Sequence, residues 1–253
     1  LPYDFERNLF LSPSYRPVHT SVYNFFNRRH AAKSWASGNP KIKIDSRKTA
    51  IWKTGQSKPM IFVCTTLWHE TFEEMYQLAT SLVRLIRDHA AKKDTVDSYD
   101  MEIHVFFDNV FEIVEEKIVL NEFVNCFIKS ITKALRLFQM EDFLKKGSVI
   151  VTPYGGRIEY DILGIQMVIH LKDATKVKAG KRWSQVMYLY YLIGWKIDTC
   201  RAEKNNVPLV KDKSFILTLD GDVDFHPSSV ELCLNRLLRN DDVAACCGRI
   251  VPV

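Results

Sequence analysis

Two acidic residues separated by one glycine follow a short apolar run, and they are the strongest candidate for chemistry in this chain. Asp220, Gly221 and Asp222 come directly after Phe215–Leu219. Side chains two positions apart in an extended segment point to the same side. Carboxylate oxygens are ligands that Mg²⁺ and Mn²⁺ prefer, and a metal ion held there would neutralise a diphosphate. The alternative is an acidic turn that caps the next helix, a role that Asp224 alone would satisfy.

Other polar residues follow apolar runs that the pattern predicts as strands. Thr66 and Glu70 follow the first such run, and Asp108 ends the second. Because ligands of parallel α/β sheets bind beyond the carboxyl ends of the strands, these residues indicate one binding edge. Lys172 follows a third apolar segment and would meet a phosphate.

Each of these residues also has a simpler interpretation. Glu70 would favour a helix N-terminus, Asp108 would begin a turn or helix, and Lys172 would be a solvated cation. The basic and aromatic stretch Lys181–Trp183 suits a diphosphate or a sugar, although Trp183 would equally suit the core.

The strands and helices that must position these residues predict an α/β fold with a mostly parallel sheet. The predicted strands are Met60–Cys64, Met101–Phe107, Ser148–Thr152, Phe215–Leu219 and Val243–Cys247, with a hairpin formed by Ile158–Ile162 and Ile165–Leu171 after a turn at Tyr154–Arg157. Apolar residues recur at helical spacing between the strands. Four helices are predicted. The first begins with a capping box at Thr71 and Glu74, and the second carries Leu120 to Phe138 and closes at Gly147. The third spans 183–196, and the fourth starts at Pro227.

The charge of the chain is unevenly distributed. The chain has 253 residues, 47% of them hydrophobic, and a net charge of +5. Up to Met60 there are eleven basic and three acidic residues, a local charge of +8. We therefore expect residues 1–57 to be a basic, irregular leader, either solvated or facing phosphates, nucleic acid or an anionic membrane, and residues 58–253 to form the folded part.

Several familiar motifs do not occur in the sequence. It contains neither a Gly-x-Gly-x-x-Gly nor a P-loop, which disfavours NAD, FAD and P-loop nucleotide sites. The six cysteines lack zinc-ligand spacing, so we expect buried free thiols. No apolar run approaches the roughly 20 residues of a membrane helix, and no secretory signal is recognisable. Both ends look cut, which predicts a segment of a longer protein.

Four stretches carry a resemblance to a known family. They are Cys64–Thr71, His104–Asp108, Thr152–Arg157 with Lys181–Tyr188, and Leu219–Phe225 with Ala245–Ile250. On these motifs the chain resembles the animal chitin synthases, which are processive family 2 glycosyltransferases. The resemblance covers roughly residues 58–253.

The resemblance implies a fold, a reaction and a role for each candidate residue. It implies a GT-A fold and transfer of N-acetylglucosamine from UDP-GlcNAc to a growing β-1,4-linked chitin chain, with inversion. Thr66 and Glu70 would belong to the first nucleotide-binding loop, and Asp108 would contact the uracil. Lys172 would lie near UDP, while Asp220 and Asp222 would hold Mg²⁺ or Mn²⁺ and the diphosphate.

The resemblance also predicts what this chain lacks. The family's catalytic Glu-Asp-Arg and its Gln-Arg-Arg-Arg-Trp motif do not occur here, so no catalytic base is assigned within this chain. We expect both motifs beyond Val253, together with pore-forming membrane helices that place this segment on the cytoplasmic face of the plasma membrane. Two departures from the family pattern are Asn109, where Asp is usual, and Val251, where His is usual.

Other functions remain open at this stage. The chain alone is predicted to bind UDP weakly with metal and not to polymerise sugar. Its partners would be UDP-GlcNAc, the chitin chain and, through other segments, a membrane; we expect no nucleic acid, and a homo-oligomer is compatible with the sequence. The alternatives are a hyaluronan or cellulose synthase-like transferase, or an inactive nucleotide-sugar-binding fragment.

Overall fold

A computed structural model of the chain describes residues 58–93, 98–115, 117–142, 148–194, 213–240 and 242–248. The predicted leader at 1–57 lies outside the described residues. In chain order the elements are β1 (Met60–Leu67), α1 (Phe72–Ala91), β2 (Asp100–Phe107), β3 (Phe111–Val114), β4 (Lys117–Leu120), α2 (Glu122–Leu137), β5 (Ser148–Thr152), β6 (Gly155–Ile162), β7 (Ile165–Lys172), α3 (Lys181–Val186, continuing as a π-helix over Met187–Gly194), β8 (Ser214–Leu219) and α4 (Pro227–Leu238).

Six of the strands form one mixed sheet in the order β5-β6-β7-β2-β1-β8. Strands β7, β2, β1 and β8 are mutually parallel, whereas β5, β6 and β7 form an antiparallel meander. The predicted α/β class with a mostly parallel sheet is therefore confirmed. The parallel arrangement brings the carboxyl ends of four strands to one edge, which is where ligands of such sheets bind.

Helix α1 leads away from that edge and begins as the sequence predicts. The Thr71 hydroxyl accepts a hydrogen bond from the Glu74 N–H at 3.3 Å, and the Glu74 carboxylate accepts one from the Thr71 N–H at 2.7 Å. This reciprocal pair satisfies N–H groups that would otherwise have no partner in the helix. The bonds from Thr71 lower the pKa of Glu74.

The two faces of the sheet are covered differently. On one face, α1 and α2 pack on aliphatic side chains of β1, β2, β6 and β7 and form the main core. On the other, the π-helical part of α3 contributes Tyr188 to a smaller cluster with Phe62 and Phe106. That face also carries a line of hydrogen-bonded side chains: Tyr154 Oη lies 2.6 Å from His170 Nδ1, His170 Nε2 lies 3.0 Å from His104 Nδ1, and His104 Nε2 lies 3.2 Å from Glu102 Oε2.

Two predictions about the middle of the chain are wrong. The sequence places Leu120 in the long second helix, but Leu120 ends a two-stranded hairpin, β3–β4, and α2 starts after it at Glu122 with Asn121 as its cap. The helix ends at Leu137, and Gly147 lies outside the described residues. The apolar runs of the hairpin are so short that their periodicity cannot distinguish a strand from a segment of helix.

The predicted turn at Tyr154–Arg157 is also displaced. Gly155 already belongs to β6, pairs with Lys172 and has a φ of 143°. A Cβ there would collide with the Leu171 carbonyl oxygen, so this glycine serves a close strand approach as well as an unusual dihedral angle.

The last predicted strand is absent. Val243–Cys247 pairs with no strand in the described part of the chain, and its side chains are exposed or partly buried. In the predicted helix 183–196, which begins at Lys181, Tyr188 is buried but Tyr190 is exposed; residues 195–196 are not described.

The cysteines depart from the expected burial. Only Cys64 is buried among those described; Cys126, Cys233 and Cys246 are partly buried and Cys247 is exposed, while Cys200 lies outside the described residues. All five described thiols are free. Among the described helices, none is both long enough and apolar enough to cross a bilayer.

Candidate functional site

The register of the sheet joins two of the predicted site residues. Phe107 of β2 lies opposite Leu171 of β7, so the next residue of each strand also meets its neighbour. These are Asp108 and Lys172, whose carboxylate oxygen and ammonium nitrogen lie 2.7 Å apart. The contact depends on β2 and β7 being adjacent, although more than fifty residues separate them in sequence.

This ion pair is buried. The side chain of Lys172 is 0% exposed and that of Asp108 is 8% exposed. The prediction of a solvated Lys172 is therefore wrong. Burial lowers the pKa of Lys172, while the bond to Asp108 opposes that shift. Lys172 also donates to the Ser184 hydroxyl at 2.9 Å, so the buried ammonium has two polar partners at close range.

The same pair anchors the start of α3. The Gly180 N–H donates to Asp108 Oδ2, and the Gly180 carbonyl accepts from Lys172 at 3.4 Å. Gly180 has a φ of 115°, in the region that favours glycine. Because Gly180 directly precedes Lys181, these bonds fix the point from which the basic stretch Lys181–Trp183 begins.

The carboxylate at the end of β8 meets that basic stretch. Asp220 Oδ1 lies 2.7 Å from Lys181 Nζ, and both side chains are about half exposed, at 53% and 51%. Asp222 is exposed as well. Asp220 is thus neutralised by a flexible cation that solvent reaches, and its carboxylate is accessible to a ligand.

The alternative role for Asp224, as the cap of the following helix, is wrong. His226 occupies the cap position of α4, and Pro227 opens the helix as predicted. Asp224 instead accepts a 2.5 Å hydrogen bond from the Ser81 hydroxyl of α1 and pairs with Arg84 at 3.5 Å. These contacts attach the chain after the Asp220–Asp222 segment to α1.

The first strand brings Thr66 and Glu70 to the same edge. The Glu70 carboxylate accepts a 2.5 Å hydrogen bond from the Trp68 N–H, which closes the loop after β1. A Cβ on Gly221 would lie 2.7 Å from Glu70 Oε1 and 2.7 Å from Leu67 Cδ2, so Gly221 permits the loops after β1 and β8 to meet. Thr66 is buried, and its hydroxyl has no hydrogen-bond partner among the described residues.

The structure therefore connects the predicted residues in pairs. It joins Asp108 to Lys172 and places Glu70 against the backbone beside Asp220. Among the described residues, no hydrogen bond or ion pair links Thr66 to the other predicted residues.

Sequence reasoning missed Ser184 and Gly180, which hold the buried pair. It singled out Lys181 within the basic stretch but not the pairing of Lys181 with Asp220. Trp68 is 56% exposed and stacks on His69 with ring centroids 4.3 Å apart. His69 in turn stacks on Phe123 of α2 at 4.3 Å. Trp68 and His69 belong to the stretch after β1 that the sequence already places at the binding edge, whereas the stacking of His69 on Phe123 depends on the fold.

The donor set suits a hard divalent cation. Asp220 and Asp222 offer exposed carboxylate oxygens, the ligand type that Mg²⁺ and Mn²⁺ prefer. The described residues contain no cluster of three or more histidine, cysteine or acidic side chains that would complete a metal site. A cation there would need further ligands from outside the described side chains.

Comparisons with known proteins agree with the motifs. The chain is 39% identical over 203 residues to chitin synthase chs-2 of Caenorhabditis elegans. This alignment covers 76% of this chain and 12% of the relative. It is 36% identical over 203 residues to chitin synthase chs-1 of the same organism, covering 76% and 15%. It is 37% identical over 202 residues to a chitin synthase of Meloidogyne artiellia, covering 76% and 11%.

The chain is homologous to chitin synthases. The resemblance that the four sequence motifs predict is thereby confirmed. The chain spans only 11–15% of the length of these relatives. No protein-family model matches the chain, and no solved structure does.

Proposed function

We propose that this chain is the nucleotide-sugar-binding part of a chitin synthase with a GT-A type fold. The whole enzyme would transfer N-acetylglucosamine from UDP-GlcNAc to the growing β-1,4-linked chitin chain with inversion. The observation that carries the proposal is the convergence of Asp108–Lys172 and Asp220–Lys181 at one edge of the sheet, in a chain homologous to chitin synthases.

The two ion pairs divide the work on the donor. Asp108 and Lys172 are buried and held by Gly180 and Ser184, so they would fix in place the part of the edge that borders the uracil end of UDP. Thr66, near the end of β1, and Glu70, in the loop that follows, would border this nucleotide site. The orphaned Thr66 hydroxyl supports that role, because a bound nucleotide would give it a hydrogen-bond partner.

The exposed pair faces the diphosphate. Asp220 and Asp222 would hold Mg²⁺ or Mn²⁺, which neutralises charge on the departing diphosphate when bound. Lys181 currently neutralises Asp220 at 2.7 Å. When a cation binds Asp220, the ammonium of Lys181 would be free to turn to a phosphate oxygen, since the long Lys181 side chain is half exposed.

The rest of the catalytic cycle requires residues that are not in this sequence. Glu-Asp-Arg and Gln-Arg-Arg-Arg-Trp do not occur here, so we propose that this chain binds the donor but forms no chitin alone. In the whole protein it would act on the cytoplasmic face of the plasma membrane, with membrane segments and the chitin chain as partners. A homo-oligomer is compatible with this arrangement.

Titration calorimetry with UDP, in the presence and absence of Mg²⁺, tests the proposal. Asp220→Ala should weaken metal-dependent UDP binding by about tenfold or more, equal to ~1.4 kcal/mol, because the carboxylate that holds the cation is lost. Asp100→Ala is the matched control, since Asp100 is an exposed aspartate at the opposite end of β2. It should bind as the wild type does.

Competition between sugar nucleotides then tests the substrate. UDP-GlcNAc should displace UDP better than UDP-glucose does. UDP binding that is independent of metal and unchanged in Asp220→Ala would contradict the proposed site. Preferential binding of UDP-glucose would leave the nucleotide site standing and contradict the assignment to chitin.

A further inference from the structure

Three cysteines lie close together where the chain folds back after α4. Helix α4 carries Cys233, and Cys246 and Cys247 follow a turn in which the Asn240 carbonyl accepts a hydrogen bond from the Val243 N–H at 3.0 Å. The thiols of Cys233 and Cys246 are hydrogen-bonded to each other. The path of the chain therefore places two thiols side by side.

Core packing does not account for this pair of thiols. The side of α4 that faces the main core carries Val230 and Leu234, which are buried. Cys233 and Cys246 are only partly buried. A cysteine that fills a core behaves as a small buried hydrophobic residue, as Cys64 of β1 does. The pair instead lies where a small molecule in solution can reach it.

The three cysteines offer two thiols for a covalent bond and not three ligands for a metal. In the described parts of the chain, no group of three or more histidine, cysteine or acidic side chains could hold a metal ion. The Cys247 thiol is engaged elsewhere, since its Sγ donates to the Gly248 carbonyl at 3.3 Å. Two thiols that are already in contact need little side-chain movement to reach the geometry of a disulfide. The chemistry open to Cys233 and Cys246 is therefore oxidation to a disulfide.

We propose that Cys233 and Cys246 are a redox modification site, where a reversible disulfide attaches residues 242–248 to α4. In a reducing compartment such a bond is transient, and it forms when the balance of small thiols and disulfides becomes more oxidising. The bond would make the position of the chain after α4 depend on redox conditions. The proposal is independent of nucleotide binding at the carboxyl edge of the sheet.

A low-molecular-weight disulfide such as glutathione disulfide supplies the oxidising equivalents. The thiolate of Cys246 attacks one sulfur of glutathione disulfide, which forms a mixed disulfide and releases one glutathione. Cys233 then loses its proton and attacks the Cys246 sulfur, which releases the second glutathione. The two protein thiols lose two electrons and two protons, and glutathione disulfide gains them as two molecules of glutathione.

The surroundings of Cys233 set the order of these two steps. Burial raises the pKa of Cys233, and the hydrogen bond with Cys246 and the nearby Cys247 add to the rise. Cys233 is therefore almost entirely protonated at neutral pH, and a protonated thiol is a poor nucleophile. The first attack is accordingly assigned to Cys246, and Cys233 is the thiol that resolves the mixed disulfide.

Disulfide mapping of the 253-residue chain, equilibrated in glutathione buffers of increasing disulfide content, tests this site. Remaining thiols are alkylated, the chain is digested with trypsin without reductant, and the peptides are identified by mass spectrometry. We expect peptides 214–236 and 240–249, which carry Cys233 and Cys246, to be linked, and the link to be lost in reduced glutathione. Cys126 is the matched internal control, because it is also a partly buried free thiol but lies in α2. Links to Cys126 should be about tenfold rarer, since contact gives the proposed pair a high effective concentration.

Two variants identify the partner of Cys233, because peptide 240–249 also contains Cys247. The link should persist in Cys247→Ser, whose substituted side chain is exposed, and disappear in Cys246→Ser. A disulfide between Cys246 and Cys247 within one peptide, in place of the link to Cys233, would overturn the proposal. Dimers joined through Cys247 on non-reducing gels, without the link to Cys233, would overturn it as well. So would a fully alkylated Cys233 at every glutathione ratio, a result that the wild-type chain alone can give.

Discussion

Asp108–Lys172 and Asp220–Lys181 are ion pairs of the same length in opposite environments. Each joins a carboxylate to a lysine across 2.7 Å at the carboxyl edge of the sheet. The first pair is buried, with side chains 8% and 0% exposed, whereas both side chains of the second are about half exposed. Distance alone therefore says little about what either pair does.

The difference in solvent exposure separates a structural role from an exchangeable one. Breaking a buried pair leaves a charge without solvent, which costs far more than the pair itself contributes. An exposed pair contributes about 0–1 kcal/mol and is readily replaced by water, ions or a ligand. The buried pair should hold its geometry when a donor binds, and the exposed pair should open.

Removing the lysine from each pair gives the largest expected contrast. Lys172→Met should lower the free energy of unfolding by about 3–5 kcal/mol, because Asp108 is left buried with an unpaired charge. Lys181→Met should change it by no more than about 1 kcal/mol. Urea denaturation followed by circular dichroism measures both. Equal losses in the two variants would show that exposure does not separate the pairs.

The close contact beneath the exposed pair can be tested at Gly221. Gly221→Ala places a Cβ 2.7 Å from Glu70 Oε1 and from Leu67 Cδ2, so these two side chains must shift. We expect a loss of about 1–3 kcal/mol in unfolding free energy. UDP affinity should fall in the same variant. Gly248→Ala is the control, since a Cβ at Gly248 meets nothing within 4 Å, and unchanged stability in Gly221→Ala would contradict the close approach.

A smaller contrast should appear in the dependence of stability on pH. Burial lowers the pKa of Lys172 in the folded protein below its usual value of 10.5. Between those two pKa values the unfolded chain binds more protons than the folded protein. The contribution of Lys172 to the free energy of unfolding therefore rises with pH up to about 10.5 and is lost as pH falls through the folded pKa. The stability difference between wild type and Lys172→Met should therefore change across this range in alkaline urea titrations. A constant difference would argue against the lowered pKa.

The smallest effect concerns salt and the exposed pair. A double-mutant cycle of Asp220→Ala and Lys181→Ala should give a coupling energy of about 0–1 kcal/mol. It should shrink towards zero at ~1 M NaCl, where the screening length is about 3 Å. Thermal denaturation at low and high salt measures this coupling. A coupling that survives 1 M NaCl would mean that the pair is shielded from solvent.

The sequence predicted the parts of this edge that depend on local patterns. Apolar runs located β1, β2 and β8, and the spacing of Thr71 and Glu74 gave the start of α1. These features depend on neighbouring residues, which a sequence displays directly. The acidic residues at the end of β8 are prominent for the same reason.

The sequence could not reveal contacts that depend on which strands are neighbours. Lys172 looked solvated because its burial arises from β7 lying beside β2, and from Ser184 and Gly180 closing over it. Asp224 looked like a helix cap because its partners, Ser81 and Arg84, lie about 140 residues earlier in the chain. Leu120 was placed in a helix because four-residue apolar strands are too short to show a period.

The hydrogen-bonded side chains of Tyr154, His170, His104 and Glu102 on one face of the sheet donate their protons in one direction. With Glu102 ionised and both imidazoles neutral, the carboxylate only accepts, so His104 Nε2 must carry a proton and Nδ1 must accept from His170 Nε2. His170 Nδ1 then accepts from the Tyr154 hydroxyl. Every proton points from Tyr154 towards Glu102, and no single one can reverse without the others. Four side chains, on β2, β7 and the turn before β6, thus form one row of hydrogen bonds in which the tautomers of the two imidazoles are coupled, so the polar row on this face of the sheet has a fixed orientation.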